Sequence, residues 1–277
     1  MFLLQDKIKG EDFIKYFKDM KLYDLGQPYY PNMPIHPADP PFNLYLTRYH
    51  EHTIEEYKEV APEFADSCEI VTTSLHVGTH MDAKCHMSRN GKIFNGIDIT
   101  KYEQNSGYKK YGIDEAPIIY NRAVLFDVCS YKGMDTLPSN YGITVKDLEG
   151  ATKDEGVDLN EGDVALIRTG WSKYFKDEPE KYLNEFAGLT SEGARWLAEK
   201  KIIMLGIDNL AIGSAGPEVL ETHMIFIPDN GIYTVKGIAL EELAKDKQYV
   251  SQLIVIPLKI IGATASLVRP IALASKR

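Results

Sequence analysis

The sequence is poor in the features that would set it apart from ordinary globular proteins. It holds only three cysteines among 277 residues, Cys68, Cys85 and Cys129, at wide spacings. That excludes a disulfide framework and leaves Cys68 and Cys129 as small buried hydrophobes. No apolar run approaches the roughly 20 residues that span a bilayer. The opening MFLLQDKIKGEDF brings acids and lysines too early for a secretory signal. Basic residues are outnumbered, 31 Lys and Arg against 40 Asp and Glu, for a formal net charge of -9. A nucleic-acid binder needs a basic stripe, so that class is excluded along with membrane partners, and a cytoplasmic location is expected. No repeat, low-complexity tract or Ser/Gly linker divides the chain. One domain over residues 1–277 is therefore expected.

Several segments carry clear periodicity. Phe13, Ile14, Phe17 and Met20 recur at helical intervals and predict a helix over 10–20, within an N-terminal extension of residues 1–21. Six prolines between residues 28 and 41 predict extended loop, because proline fixes φ and removes a backbone donor. The runs at 69–77, 122–128, 163–169, 201–208 and 251–258 are β-branched or continuously apolar and read as strands. Helices are expected over 143–156, over 189–201 with Thr190 or Ser191 as N-cap, and over 238–246. Strands alternating with helices in the second half indicate α/β architecture, and the strand-dense first half indicates a mixed sheet. The stretches 50–68 and 100–121 read as insertions, the first acidic and exposed with His50 and His52 solvated.

The densest chemistry lies in SLHVGTHMDAKCH, residues 74–86, where His76, His80, Asp82 and His86 fall within eleven residues. The strand-like approach and the Gly78-Thr79 pair favour a strand-to-loop turn, in which the backbone folds several side chains around one point. Two neutral imidazoles and one carboxylate are a good three-ligand set for a divalent ion such as zinc, manganese or iron. Three protein ligands leave a position open for water or substrate, the pattern of a catalytic site. A dication lowers the pKa of bound water and polarises a carbonyl, and His86 is the spare imidazole placed to move the proton. The competing explanation is that these residues only cap turns and pack.

HVGTHMDAKCH resembles the H-x-G-T-H-x-D-x-P-x-H signature of the cyclase-like metal-dependent hydrolases, a family that includes bacterial kynurenine formamidase and isatin hydrolase. YDLGQPYYPNMPIHPADPPF, ALIRTGWSKYF, LTSEGARWLAEKKIIMLGIDNLAI and IPLKIIGATASLVRPIAL are similar to further motifs of that family in the same order, so the resemblance covers most of the chain. It implies a swivelling β/β/α fold with a central mixed, barrel-like sheet flanked by helices, assembled as a homodimer or homotetramer. It also implies a hydrolase acting on the C–N bond of a small cyclic amide (lactam or imide-like) or an aryl formamide. Hydroxide bound to zinc or manganese, one ion per subunit, would attack the carbonyl with His86 as general acid and base. A catalytically weakened relative that binds a metabolite or metal is the alternative, and a lactone or ester hydrolase a further one.

By the same resemblance His76, His80 and Asp82 would be the ligands, Thr79 would support them, and His223 would take substrate or a second metal. His36 falls where the family often places an aromatic that contacts substrate. Two departures stand out. Where the family has a proline two residues before the last histidine, this chain has Ala83-Lys84-Cys85, and Lys236 falls where a glutamate or glutamine is usual. Four readings of Lys236 remain: a solvated side chain, the ordinary place of a lysine; a positive charge standing in for a second metal; a shifted register with Glu241 or Glu242 as the carboxylate; or weakened chemistry. Asp208 is either a residue that orients a ligand or a cap at a strand end. Trp171 either lines a pocket or sits in the core, and Arg269 pins structure.

Overall fold

The computed structural model describes residues 18–275. The expected N-terminal helix over 10–20 therefore lies outside the described residues up to residue 17, and Met20 at its end begins a strand instead. Nine strands form one mixed sheet curled into a half-barrel. They are β1 (Met20–Asp24), β2 (His80–Asp82), β3 (Ile119–Asp127), β4 (Val164–Arg168), β5 (Met204–Ile207), β6 (Tyr233–Lys236), β7 (Val250–Val255), β8 (Ala265–Leu267) and β9 (Ile271–Ser275). Their spatial order is β1-β9-β7-β3-β4-β5-β6-β2-β8. The central run β3 to β6 is parallel, and the pairings on either side of it are antiparallel.

The apolar runs form strands because both faces of the sheet are covered, which removes any need for polar alternation. Side chains alternate between two cores with the period of two that a strand imposes. Val124, Phe126, Ala165, Ile167, Leu205 and Ile207 meet the helical layer. That layer contains α2 (Val145–Glu155) and α3 (Ser191–Glu199), which follow α1 (His50–Tyr57) in the chain. Leu125, Val164, Leu166, Met204 and Val235 point the other way, against Ile93, Ile99, Ile113 and Leu243. The stretch 100–121 is thus partly a lid on the core, with Tyr102, Tyr108 and Tyr111 packed against it, and its last residues open β3.

Local signals hold at the helix ends. Thr144 and Asp147 form a reciprocal capping box at the start of α2, and Gly156 closes it at φ 67°. Thr190 caps α3 through the backbone N–H of Gly193 at 3.1 Å. Past helix α4 (Pro217–Met224), the helix expected over 238–246 shortens to α5 (Glu241–Lys245). The strand expected over 69–77 ends at Thr72 and never joins the large sheet. It pairs with Asn43–Arg48 in a separate antiparallel ribbon, where Cys68 is exposed and not buried as expected. α1 lies in the chain between the two strands of that ribbon, with His50 and His52 in solvent as expected.

Candidate metal centre

The histidine run enters the large sheet only at β2, a three-residue strand held between β6 and β8. Alternation sends Met81 into the core and leaves His80 and Asp82 together on the opposite side. The register sets Thr234 opposite Asp82 and Lys236 opposite His80, so four polar side chains share that face. His76 arrives from the preceding loop, which turns at Gly78 with φ 54°. A Cβ on Gly78 would stand 2.8 Å from the Tyr29 ring, so only glycine lets the loop pass. Thr79 locks the turn: its hydroxyl donates to the Gly237 carbonyl at 2.6 Å and accepts from the Gln27 N–H at 2.8 Å.

One donor atom from each of His76, His80 and Asp82 lies within 4.8 Å of the others. His76 Nδ1 is 3.1 Å and His80 Nε2 3.7 Å from Asp82 Oδ1. His80 Nδ1 donates to the Gly78 carbonyl at 3.0 Å, which fixes the tautomer and bares the lone pair on Nε2. That Nε2 atom is buried and has no hydrogen-bond partner among the described residues. A buried polar atom left unpaired costs about 1–3 kcal/mol. A divalent ion would satisfy it, and the mixed nitrogen and oxygen donor set fits one.

The charges agree with that fit. Burial, reinforced by the Lys236 ammonium, lowers His80 to about 3, so the imidazole is neutral and ready to ligate. Burial opposes ionisation of Asp82, yet Lys236 and then the neighbouring histidines outweigh it and hold the carboxyl well below the usual range. His86 lies beyond the turn after β2, its ring stacked on His76 at 4.0 Å between centroids and 27° between planes. Burial lowers it to about 3 as well. Neither His86 ring nitrogen has a hydrogen-bond partner among the described residues, which leaves a lone pair free beside the donor cluster.

Lys236 is not solvated. It is 6% exposed, with Nζ 3.2 Å from Asp82 Oδ2 and 3.4 Å from His223 Nε2. Sheet register overrides the ordinary preference of lysine for water, and a buried carboxylate compensates the charge. His223, on α4, donates from Nδ1 to the Val219 carbonyl at 2.6 Å, and burial with Lys236 nearby lowers it to about 4. The shifted-register reading fails: Glu241 bridges Arg168 at 2.6 Å and Ser172 at 3.2 Å, and Glu242 is exposed.

Other expected residues stand apart from the cluster. Asp208 is fully buried and accepts from Thr169 N–H, Thr169 Oγ1 and Gly170 N–H at 2.5–2.9 Å. Burial raises it to about 7, and it acts as the strand-end cap rather than orienting a donor. Trp171 packs in the helical core. His36 is exposed in the proline-rich loop and accepts from the Ala38 N–H at 3.2 Å, without touching the cluster. Arg269 pairs with Asp24 at 2.6 Å. Three residues of the centre carry no local signal in the sequence: Thr234, whose hydroxyl donates to Asp82 Oδ2 at 2.7 Å, Thr264, 2.9 Å from His76 Nε2, and Tyr29, which donates to the Thr79 carbonyl.

Known proteins resemble this chain along most of its length. The chain is 28% identical to kynurenine formamidase of Bacillus cytotoxicus over 254 residues, 90% of this chain and 95% of that one. Cyclase-like protein 1 of Oryza sativa subsp. japonica is 25% identical over 70% of this chain, which spans only 60% of the rice protein. Among solved structures, a novel cyclase superposes with a TM-score of 0.84 at 26% identity, covering 94% of this chain and 89% of the other. Isatin hydrolase A from Labrenzia aggregata reaches 0.70 at 21% identity, covering 96% and 99%, and shares the fold. The family model for putative cyclases matches residues 23–214, well over half of the chain. This protein belongs to the putative cyclase family.

Proposed function

We propose that the protein is a metal-dependent hydrolase that opens or cleaves the C–N bond of a small cyclic amide or an aryl formamide. The observation that carries this is the buried, unpartnered His80 Nε2 facing Asp82 Oδ1, with a free imidazole stacked alongside. Likeness to kynurenine formamidase over nine-tenths of the chain supports the bond type. His76, His80 and Asp82 would hold one zinc or manganese ion through Asp82 Oδ1, because Thr234 and Lys236 already occupy Oδ2. When bound, such an ion lowers the pKa of water and polarises a carbonyl oxygen. The His86 ring, stacked on His76 beside the donor cluster, is placed to take the proton from the attacking water and hand it to the leaving nitrogen. Lys236 keeps Asp82 ionised and occupies the space between Asp82 and His223.

The working assembly is a homodimer or homotetramer. Leu44, Tyr45, Ile70 and Val71 stand exposed on the two-stranded ribbon, and a lone ribbon of two strands is marginal in water until another surface covers it. Three free cysteines fit a reducing cytoplasm. The test is elemental analysis followed by a hydrolysis screen of lactams, imides, lactones and aryl formamides. A metal-loaded protein that turns over none of the amides would refute the assignment, and light scattering that reports a monomer would refute the assembly.

A further inference from the structure

The two imidazoles of the centre are held differently, and the difference assigns a role to a residue 188 positions downstream of His76. His80 has its Nδ1 engaged by the Gly78 carbonyl, which leaves Nε2 bare. His76 shows the opposite arrangement: its Nε2 meets Thr264 Oγ1 at 2.9 Å, while Nδ1 faces Asp82 Oδ1 at 3.1 Å. The two nitrogens of an imidazole point away from each other, so one ring presents only one of them to an ion. Stacking on His86 fixes the plane of the His76 ring, and within that plane the contacts to Asp82 and Thr264 decide which nitrogen faces which way.

We propose that Thr264 is the positioning residue of the centre: its hydroxyl accepts the His76 Nε2 proton, so that His76 ligates through Nδ1 while His80 ligates through Nε2. The inference rests on the metal reading above. Distances favour it. With ligand bonds of about 2.0–2.2 Å, two donors on one tetrahedral ion stand roughly 3.4 Å apart. The separations to Asp82 Oδ1 are 3.1 Å from His76 Nδ1 and 3.7 Å from His80 Nε2, which bracket that value.

Thr264 owes its position to the sheet. It immediately precedes β8, whose Ala265 pairs with Asp82, and its carbonyl accepts the Ala83 N–H at 2.9 Å. The same ladder that sets Asp82 in place thus also sets the hydroxyl that orients His76. A threonine hydroxyl rotates to donate or to accept, so it can hold this ring before and after an ion arrives. Partners of this kind are worth about 10–100-fold in metal affinity.

The experiment uses the full chain with Zn²⁺ and the variants Thr264→Val and Thr264→Ser. Chelator competition reads the Zn²⁺ affinity, and long-range ¹H–¹⁵N spectra of the histidine-labelled, Zn²⁺-loaded protein read which nitrogen of each ring carries the metal. The expected result is a loss of about 10–100-fold in Zn²⁺ affinity for Thr264→Val, near-complete recovery in Thr264→Ser, and similar thermal midpoints for all three metal-free proteins. His76 should show metal on Nδ1 and a proton on Nε2, with His80 reversed. Wild-type affinity in Thr264→Val, or metal on His76 Nε2, would overturn the proposal. Wild-type protein that binds no Zn²⁺, and behaves in the titration as His80→Ala does, would overturn the metal reading and this inference with it, a failure distinct from the first.

Discussion

Replacing Lys236 with methionine should have two effects of opposite sign. In the metal-free protein the ammonium is the buried counter-ion of Asp82, which is 0% exposed, at 3.2 Å. Removing one partner of a buried pair costs about 3–5 kcal/mol, because the charge left behind is uncompensated. Thr234 and His76 still donate to Asp82, so the lower end, about 3 kcal/mol, is expected. For a chain of this size each kcal/mol moves the thermal midpoint by about 2–4 °C, so calorimetry in chelator should read a fall of roughly 6–12 °C. In the metal-bound protein the sign reverses, since the same ammonium repels a dication. Unit charges 4 Å apart near a protein surface repel by about 4 kcal/mol at an effective dielectric of 20. Even with most of that relaxed away, Lys236→Met should bind Zn²⁺ at least tenfold more tightly, about 1.4 kcal/mol, in a chelator competition. An unchanged metal-free midpoint together with equal or weaker Zn²⁺ affinity would refute the reasoning.

His86→Ala should retain the metal yet lose about 10²–10⁴-fold in turnover, because it removes the proton carrier and no donor; full activity would remove His86 from the mechanism. His80→Ala should bring metal content to background in elemental analysis, and an unchanged content would sink the ligand set. Glu155 gives a pH signature far from the centre. Burial raises its carboxyl to about 8 from an ordinary 4.5, and Oε1 accepts the Asp127 N–H. The folded state thus holds this proton more tightly than the unfolded one. Its contribution is full below about 4.5 and is lost as the pH climbs to about 8. Urea midpoints of the wild type should therefore fall, relative to Glu155→Gln, between those two pH values, and parallel curves would contradict the assignment.

How much of the centre is legible in the sequence follows from how its parts are held. His76, His80, Asp82 and His86 sit within eleven residues, so the donor set stands out with no knowledge of the fold. The helix caps are legible for the same reason, since Thr144 with Asp147 and Thr190 with Gly193 act within three residues. Lys236 misleads because the ordinary place of a lysine is water. Only the pairing of β6 with β2, more than 150 positions apart, carries its ammonium to Asp82. Thr264 is invisible for the same cause, 188 residues from the ring it touches.

The strand expected over 69–77 fails at Thr72 because its β-branched residues join the exposed ribbon with Asn43–Arg48 instead. His80 and Asp82 then depend on β2 alone, three residues long. A slip of one residue there would turn His80 and Asp82 into the core and bring Met81 out. It would also part Asp82 from Thr234 and His80 from Lys236. The run of histidines and aspartate supplies the donors, but the register of β6, β2 and β8 makes them a centre. Thr234, Lys236 and Thr264 are the residues through which that register acts.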